Sequence, residues 1–299
     1  MSAPDGSFVG CHGVAVDPPA WGERLGRTVG TPLTQLRVGE LAEPAVAAGA
    51  VRLWQINEVG QELWAAADGQ SWLTVEGNTA LRMDPSLREV LLRPMREAAA
   101  LQLLTTFVVP RLAQQAGAVV VHAASFARDG RAIAVCAGSG GGKSSLTVAL
   151  AERGWSVLSE DLTTIVVEPA GAWVWPGPPW VRLSPETVLP PGWHPRFTAP
   201  DKTGWGLEER MADRPAALAA LVFLEPPGGA KPSWETLVQP ATLARLARHL
   251  PWTGDPEQRA AQLFPGAVRL AGSVPARTLR LPISPDWAAL AADELGQDD

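Results

Sequence analysis

Apolar and polar residues alternate in three short runs, Val51–Ile56, Gln61–Ala66 and Ser71–Val75, with Gly60 and the pair Asp68-Gly69 between them. A period of two marks strands with one buried face, and glycine turns join such strands in antiparallel order. This predicts a small antiparallel sheet. The pattern then changes. Leu87 to about Gln115 is long, apolar and helix-favouring, with Asp84 or Ser86 placed to cap its start and Pro110 placed to kink it. The first 35 residues are rich in Gly and Pro and give no clear period.

The following block alternates strands with a helix. Ala118–Phe126, containing His122, reads as a buried strand; Asp129-Gly130 is a tight turn; Arg131–Ala137 is a second apolar strand. Lys143–Glu152 has a helical pattern that Gly154 stops. Trp155–Leu158 is another strand, ending at Ser159-Glu160-Asp161. Thr163–Val167 and Ala172–Trp175 pair about the turn Pro169-Ala170-Gly171, and Pro176 to Pro200 reads as irregular. Ala219–Leu224 and Thr278–Leu281 are further strands; Ala241–Leu250 and Pro285–Leu295 are further helices. The alternation predicts an α/β domain over residues 86–299, preceded by a smaller β-rich region over 1–85.

Composition narrows the class. With 46% hydrophobic and 19% charged residues the chain can build an ample core. A net charge of -6 argues against a general nucleic-acid binder. No stretch reaches the roughly 18 apolar residues of a membrane helix, and the N-terminus shows no basic-then-apolar leader. A soluble cytoplasmic protein without a membrane partner is the expectation. Cys11 and Cys136 are too few for a disulfide framework. His194 and His249 have no partners at metal-ligand spacing, so no zinc site is expected.

The chemistry is concentrated in Ala137-Gly138-Ser139-Gly140-Gly141-Gly142-Lys143-Ser144, followed by Ser145. The pattern [AG]-x4-G-K-[ST] is met, with an apolar strand leading in and a helix leading out. Glycines allow backbone N–H groups to turn inward around a phosphate, and the helix N-terminus adds its positive end. Lys143 brings a point charge to the β- and γ-phosphates, and Ser144 a hydroxyl ligand for Mg²⁺. ATP with Mg²⁺ is therefore the expected ligand. No Asn-Lys-x-Asp guanine-reading motif and no transporter-type signature is present. The nearest acidic strand end is Glu160-Asp161.

His122, Asp129-Gly130, the loop Gly138–Ser144 and Gly154-Trp155-Ser156-Val157-Leu158-Ser159-Glu160-Asp161 together resemble the catalytic core of HPr kinase/phosphorylase. They are more similar still to divergent HPr-kinase-related proteins, some of them found with peptide-modifying pathways. Clear resemblance covers residues 118–183, and a weaker one runs to the C-terminus. It implies a P-loop kinase core of the type shared by HPr kinase and PEP carboxykinase, with a mixed sheet, and assembly into an oligomer. By position, Glu160 matches the general base, Asp161 helps hold Mg²⁺, and His122 orients the acid or sits near the transferred phosphate. Lys143 and Ser144 keep their loop roles. Two departures stand out. Glu160 replaces the usual Asp, and Pro176-Gly177-Pro178-Pro179-Trp180-Val181-Arg182-Leu183 takes the place of the Glu-x-Arg-Gly motif. The reverse reaction and HPr as substrate are therefore not carried over.

The expected activity is transfer of the γ-phosphate to a hydroxyl, of a serine in a peptide or protein. The alternatives are a small-molecule kinase acting on a free hydroxy amino acid, and a regulatory module that binds ATP and transfers nothing. For Glu160-Asp161 the plain alternative is a solvated strand terminus, and for His122 a core histidine. Lys202, from a loop, and Arg182, from a strand end, could reach acceptor or phosphate, but surface placement is the simpler reading of each; Glu225 reads as a strand cap, and the Trp-rich stretch Trp173 to Trp193 as a hydrophobic acceptor groove or as core.

Overall fold

The computed structural model describes the chain apart from residues 1–6, 43–44, 57–59, 139, 185–186, 188, 199–201, 207–208, 252–255 and 297–299. The opening residues, which the sequence pattern does not resolve, hold β1 (Ser7–Cys11), β2 (Val14–Asp17), α1 (Pro19–Leu25) and β3 (Arg27–Val29). Then come β4 (Thr34–Glu40), β5 (Val51–Ile56), β6 (Gln61–Ala65), β7 (Ser71–Val75), β8 (Asn78–Met83) and β9 (Glu89–Leu92). The three alternating runs are thus strands as expected, but within a nine-stranded sheet of order β3-β1-β2-β4-β9-β8-β7-β6-β5. Only β2–β4 and β4–β9 pair in parallel.

The helix predicted from Leu87 begins only at Glu97. Asp84 does cap, but it caps a turn: its carboxylate accepts the N–H groups of Ser86 at 3.0 Å and Glu89 at 2.6 Å. Such an Asx turn competes with helix initiation. Leu87 then takes a left-handed φ of 55°. Residues 89–92 pair with β8 and β4, and Pro94 blocks a helix across the junction. The helical run comprises α2 (Glu97–Leu103), a π turn over Leu104–Val108, and α3 (Val109–Gln115). Pro110 lacks an N–H for the carbonyl of Thr106, and the widened turn lies just before it. The hydroxyls of Thr105 and Thr106 bond back to the carbonyls of Leu101 (2.8 Å) and Gln102 (2.7 Å). This run packs Leu101, Leu104, Val108 and Leu112 against Leu63, Leu73, Leu81 and Val90 of the sheet.

The second sheet starts with β10 (Val119–Arg128) and β11 (Arg131–Cys136). After α4 (Lys143–Glu152) follow β12 (Ser156–Ser159), β13 (Leu162–Glu168), β14 (Gly171–Trp175), β15 (Trp180–Leu183), β16 (His194–Thr198), β17 (Thr203–Gly206) and β18 (Ala216–Leu224). The chain ends with β19 (Ser233–Leu237), α5 (Gln239–His249), α6 (Pro256–Ser273), β20 (Ala276–Arg280) and α7 (Trp287–Gly296). The eight-stranded sheet runs β11-β10-β13-β14-β18-β20-β19, with β12 on β10; β18 also pairs in parallel with β11, so five strands close on one another. The structure is therefore mixed α/β with several sheets, and both parallel and antiparallel pairs in the two larger ones. Period two along the strands sorts the core. Val119, Val121, Ala123, Ala134 and Cys136 face Leu246 and Leu270 of α5 and α6. Phe126, Val135 and Val222 face Leu146, Leu150, Ala291 and Leu295 of α4 and α7.

The stretch Pro176–Pro200, expected to be irregular, supplies two strands of a three-stranded sheet, β15-β17-β16. Proline hides them from pattern reading: Pro195 sits at a register shift in β16, where a missing N–H is tolerated. Among the described residues no helix is long and apolar enough to cross a membrane.

Candidate functional site

Strand β11 delivers Ala137 to a loop that ends at Gly142, and Lys143 opens α4. The expected loop residues Gly138, Gly140, Gly141, Gly142, Lys143, Ser144 and Ser145 lie together on this turn; Ser139 falls outside the described residues. The Gly141 N–H closes the turn on the Gly138 carbonyl at 3.0 Å. Gly142 has φ of 81°, and a Cβ there would lie 2.0 Å from the Trp287 ring. Only glycine meets both demands. The N-cap of α4 is Gly142, which has no side chain to cap the first N–H groups, and such a helix start favours an anion. Lys143 is buried, and its Nζ donates to the carbonyls of Ala137 (2.9 Å) and Gly138 (3.5 Å). Burial pulls its pKa below the ordinary lysine value, against the pull of Asp161 and Glu160. Ser145 is exposed on the first helical turn.

The acidic pair occupies the turn from β12 to β13, closed by the Ser159 hydroxyl on the Leu162 carbonyl at 2.6 Å. Glu160 is 6% exposed. Its Oε1 accepts the Ser144 hydroxyl at 2.6 Å and its Oε2 the Arg182 N–H at 3.3 Å. Asp161 lies 3.0 Å from His122 Nε2 through Oδ1. The two neighbours titrate in opposite directions. Burial, then the charge of Asp161, raises the Glu160 pKa above the ordinary carboxylate value despite the Ser144 bond. Burial works against ionised Asp161 too, but the hydrogen bond and charge of His122, with Arg182 and Lys202, outweigh it and hold the pKa low. Adjacent carboxyls pushed apart in this way divide acid–base labour: one stays an anion, the other can exchange a proton.

The structure thus gathers Lys143, Ser144, Glu160, Asp161 and His122 within one small region. Further residues surround them. Lys202, just before β17, is half-buried and its charge acts on both carboxylates. Arg182 on β15 reaches the pair through its backbone and its charge. His249, at the end of α5 with its ring 6.0 Å from Phe223, feels the charges of His122 and Lys143 and is lowered to about 4, mainly by burial. His12 lines a cavity of about 30 Å³ beside the pair. Its signal was present: His12-Gly13 between two short apolar runs is a hairpin turn in pattern. Glu225 pairs with Arg245 and does not join the site. Of the tryptophans, Trp180 is buried against Phe197 and lines the same cavity, while Trp173 is exposed. Among the described residues no cluster of three His, Cys, Asp or Glu could hold a metal by itself.

No family model and no curated protein matches this chain. Among solved structures it is similar to the Hpr(Ser) kinase/phosphatase from Coxiella burnetii, at 13% identity and a TM-score of 0.33, over 60% of this chain and 88% of that one. A likeness of that size leaves the functional reading to the site's own geometry.

Proposed function

We propose that the chain is an ATP-dependent kinase that transfers the γ-phosphoryl group to a hydroxyl, in the first instance that of a serine in a peptide or protein. The observation that carries this reading is the 2.6 Å bond from Ser144 to Glu160: it ties the glycine loop to a buried carboxylate of raised pKa. A loop alone suits any triphosphate. A loop whose helix start touches a candidate base suits transfer to an acceptor.

The donor set fits a hard divalent cation. The Ser144 hydroxyl and the Asp161 carboxylate are oxygen ligands, and Mg²⁺ is usually held by one or two such groups together with substrate phosphates. Ser144 and Asp161 would hold the ion, which would supply positive charge to offset that developing on the transferred group. Lys143 would leave the carbonyls of Ala137 and Gly138 for the phosphates, a better partner for a buried ammonium. Glu160 would take the proton of the acceptor hydroxyl as its oxygen bonds to phosphorus. The bond from phosphorus to the β,γ-bridging oxygen breaks, and ADP leaves with that electron pair. His122 keeps Asp161 ionised and oriented throughout.

The test is Glu160→Gln, which preserves shape and removes the base. Phosphate transfer to serine-containing peptides should fall at least about a hundredfold, the scale of a lost general base. Mg²⁺–ATP affinity by calorimetry should change little. Transfer at the wild-type rate sinks the proposal, as does ATP consumption that never depends on an added acceptor.

A further inference from the structure

We propose that His12, from the N-terminal sheet, forms the acceptor side of the site and hydrogen-bonds the hydroxyl that Glu160 deprotonates. The inference rests on the kinase reading above and names where its acceptor sits.

His12 and Gly13 are the two-residue tip of the β1–β2 hairpin, between the paired residues Cys11 and Val14. Both have positive φ, 54° and 76°. A tight hairpin of type I′ makes that demand and is ordinarily met by Asn-Gly or Gly-Gly. Histidine is among the non-glycine residues that enter the left-handed region, so the turn accommodates an imidazole here without requiring one. The tip is pinned: the His12 N–H donates to the Pro176 carbonyl at 2.6 Å, and Gly13 accepts the Leu33 N–H at 2.8 Å. The ring is 1% exposed.

Its Nδ1 is 3.0 Å from the hydroxyl of Thr164, itself fully buried in β13. Thr164 engages the ring at Nδ1, which leaves Nε2 as the nitrogen to meet a ligand in the cavity. The ring lines the 30 Å³ cavity together with Glu160, Asp161, Thr105 and Trp180. A cavity of that size, with carboxylate, hydroxyl and imidazole groups among its lining residues, holds about one water, which is the volume of a hydroxyl group. A hydroxyl in the cavity would give Nε2 a hydrogen-bond partner.

The proton belongs on Nε2. The cavity's carboxylates only accept hydrogen bonds, whereas the Thr164 hydroxyl can donate to Nδ1. Burial keeps the ring neutral, lowering its pKa to about 4, so it does not compete with Glu160 for the acceptor's proton. The Nε2–H would bond one lone pair of the acceptor oxygen. The other lone pair attacks phosphorus, and the O–H proton goes to Glu160. With Trp180 and Pro178 in the wall, the space suits a primary alcohol, as in serine, better than a phenol.

The test uses the full chain with Mg²⁺–ATP and two probes, free serine and a mixture of serine-centred peptides. His12→Asn removes the group at the Nε2 position and His12→Gln restores a donor near it. His12→Asn should lower kcat/KM for the acceptor at least about tenfold, the worth of one oriented hydrogen bond. His12→Gln should recover most of it, with Mg²⁺–ATP affinity within about twofold of wild type for both. Transfer that survives both substitutions overturns the assignment of His12 alone. A wild type that transfers to neither probe overturns the kinase reading and this inference with it. Should the variants fail to fold, nitrogen-15 NMR of the wild type decides: the Nε2–H tautomer at His12 is expected, and Nδ1–H overturns the proposal.

Discussion

On one side of the Glu160–Asp161 turn stand Lys143 and Ser144, carried by a loop and helix that follow each other directly in the chain. On the other stand His12, Thr105 and Trp180, from a hairpin tip, a π turn and a short strand far apart in sequence. The first side is made by local rules: a strand, glycines, a helix start. The second exists only once the nine-stranded sheet, the helical run and the three-stranded sheet have packed together. The side that would hold nucleotide can therefore be read as a motif, and the side that would hold the acceptor cannot.

Substitutions separate the two sides. The largest effect is expected from Lys143→Ala, which removes the buried cation of the motif side. Mg²⁺–ATP affinity should fall at least about a hundredfold, close to 3 kcal/mol. Calorimetry showing a change below about threefold would mean the loop has been misread.

Next is a pH effect carried by the assembled side. His12 is held neutral in the fold, with a pKa near 4 in place of the usual 6.5. Between those values the unfolded chain binds a proton that the folded chain refuses. Stability should therefore be complete above about pH 6.5 and fall as pH drops toward 4, by about 3 kcal/mol from His12 at about 1.4 per pH unit. His249 is lowered in the same way, and the depressed Asp161 extends the loss to lower pH, while the raised Glu160 opposes it. Urea unfolding across this range should show a shallower slope in His12→Asn than in wild type.

Gly142→Ala probes the motif side's packing against Trp287. The methyl would meet Trp287 and strain a left-handed φ, costing about 2 kcal/mol in thermal or urea unfolding. Adding Trp287→Ala should relieve part of the Gly142→Ala cost, a coupling the double-mutant cycle reads directly. The smallest effect belongs to Asp293→Asn. Its pair with Arg153 at 2.8 Å ties α7 to the end of α4, but Asp293 is 55% exposed. The loss should stay below about 0.5 kcal/mol.

These differences track what the sequence could reveal. His122, the glycine loop, the helix from Lys143 and the Glu160–Asp161 turn were all legible, because each is set by neighbours a few residues away. The contact from Ser144 to Glu160 then follows from the adjacency of α4 and β12. Leu87 to Met95 was misread because one carboxylate, Asp84, and pairing to β4 and β8 outcompete a helical pattern. Pro176 to Pro200 concealed β15 and β16, whose partner β17 lies later in the chain. His12 was passed over because a turn residue shows no period, and its meaning comes from Thr164 and the acid pair. Lys202 reads more readily as a surface residue than as a phosphate contact for the same reason: only the tertiary structure brings its charge to the carboxylates.

The central claim is that Glu160 is the base that turns a phosphate-binding loop into a kinase. The most direct measurement compares wild type with Glu160→Gln, following ADP formation and phosphopeptide together while calorimetry reports Mg²⁺–ATP affinity. Transfer should fall at least about a hundredfold, with nucleotide affinity within about threefold of wild type. Undiminished transfer by Glu160→Gln, or loss of nucleotide binding in step with transfer, would contradict it.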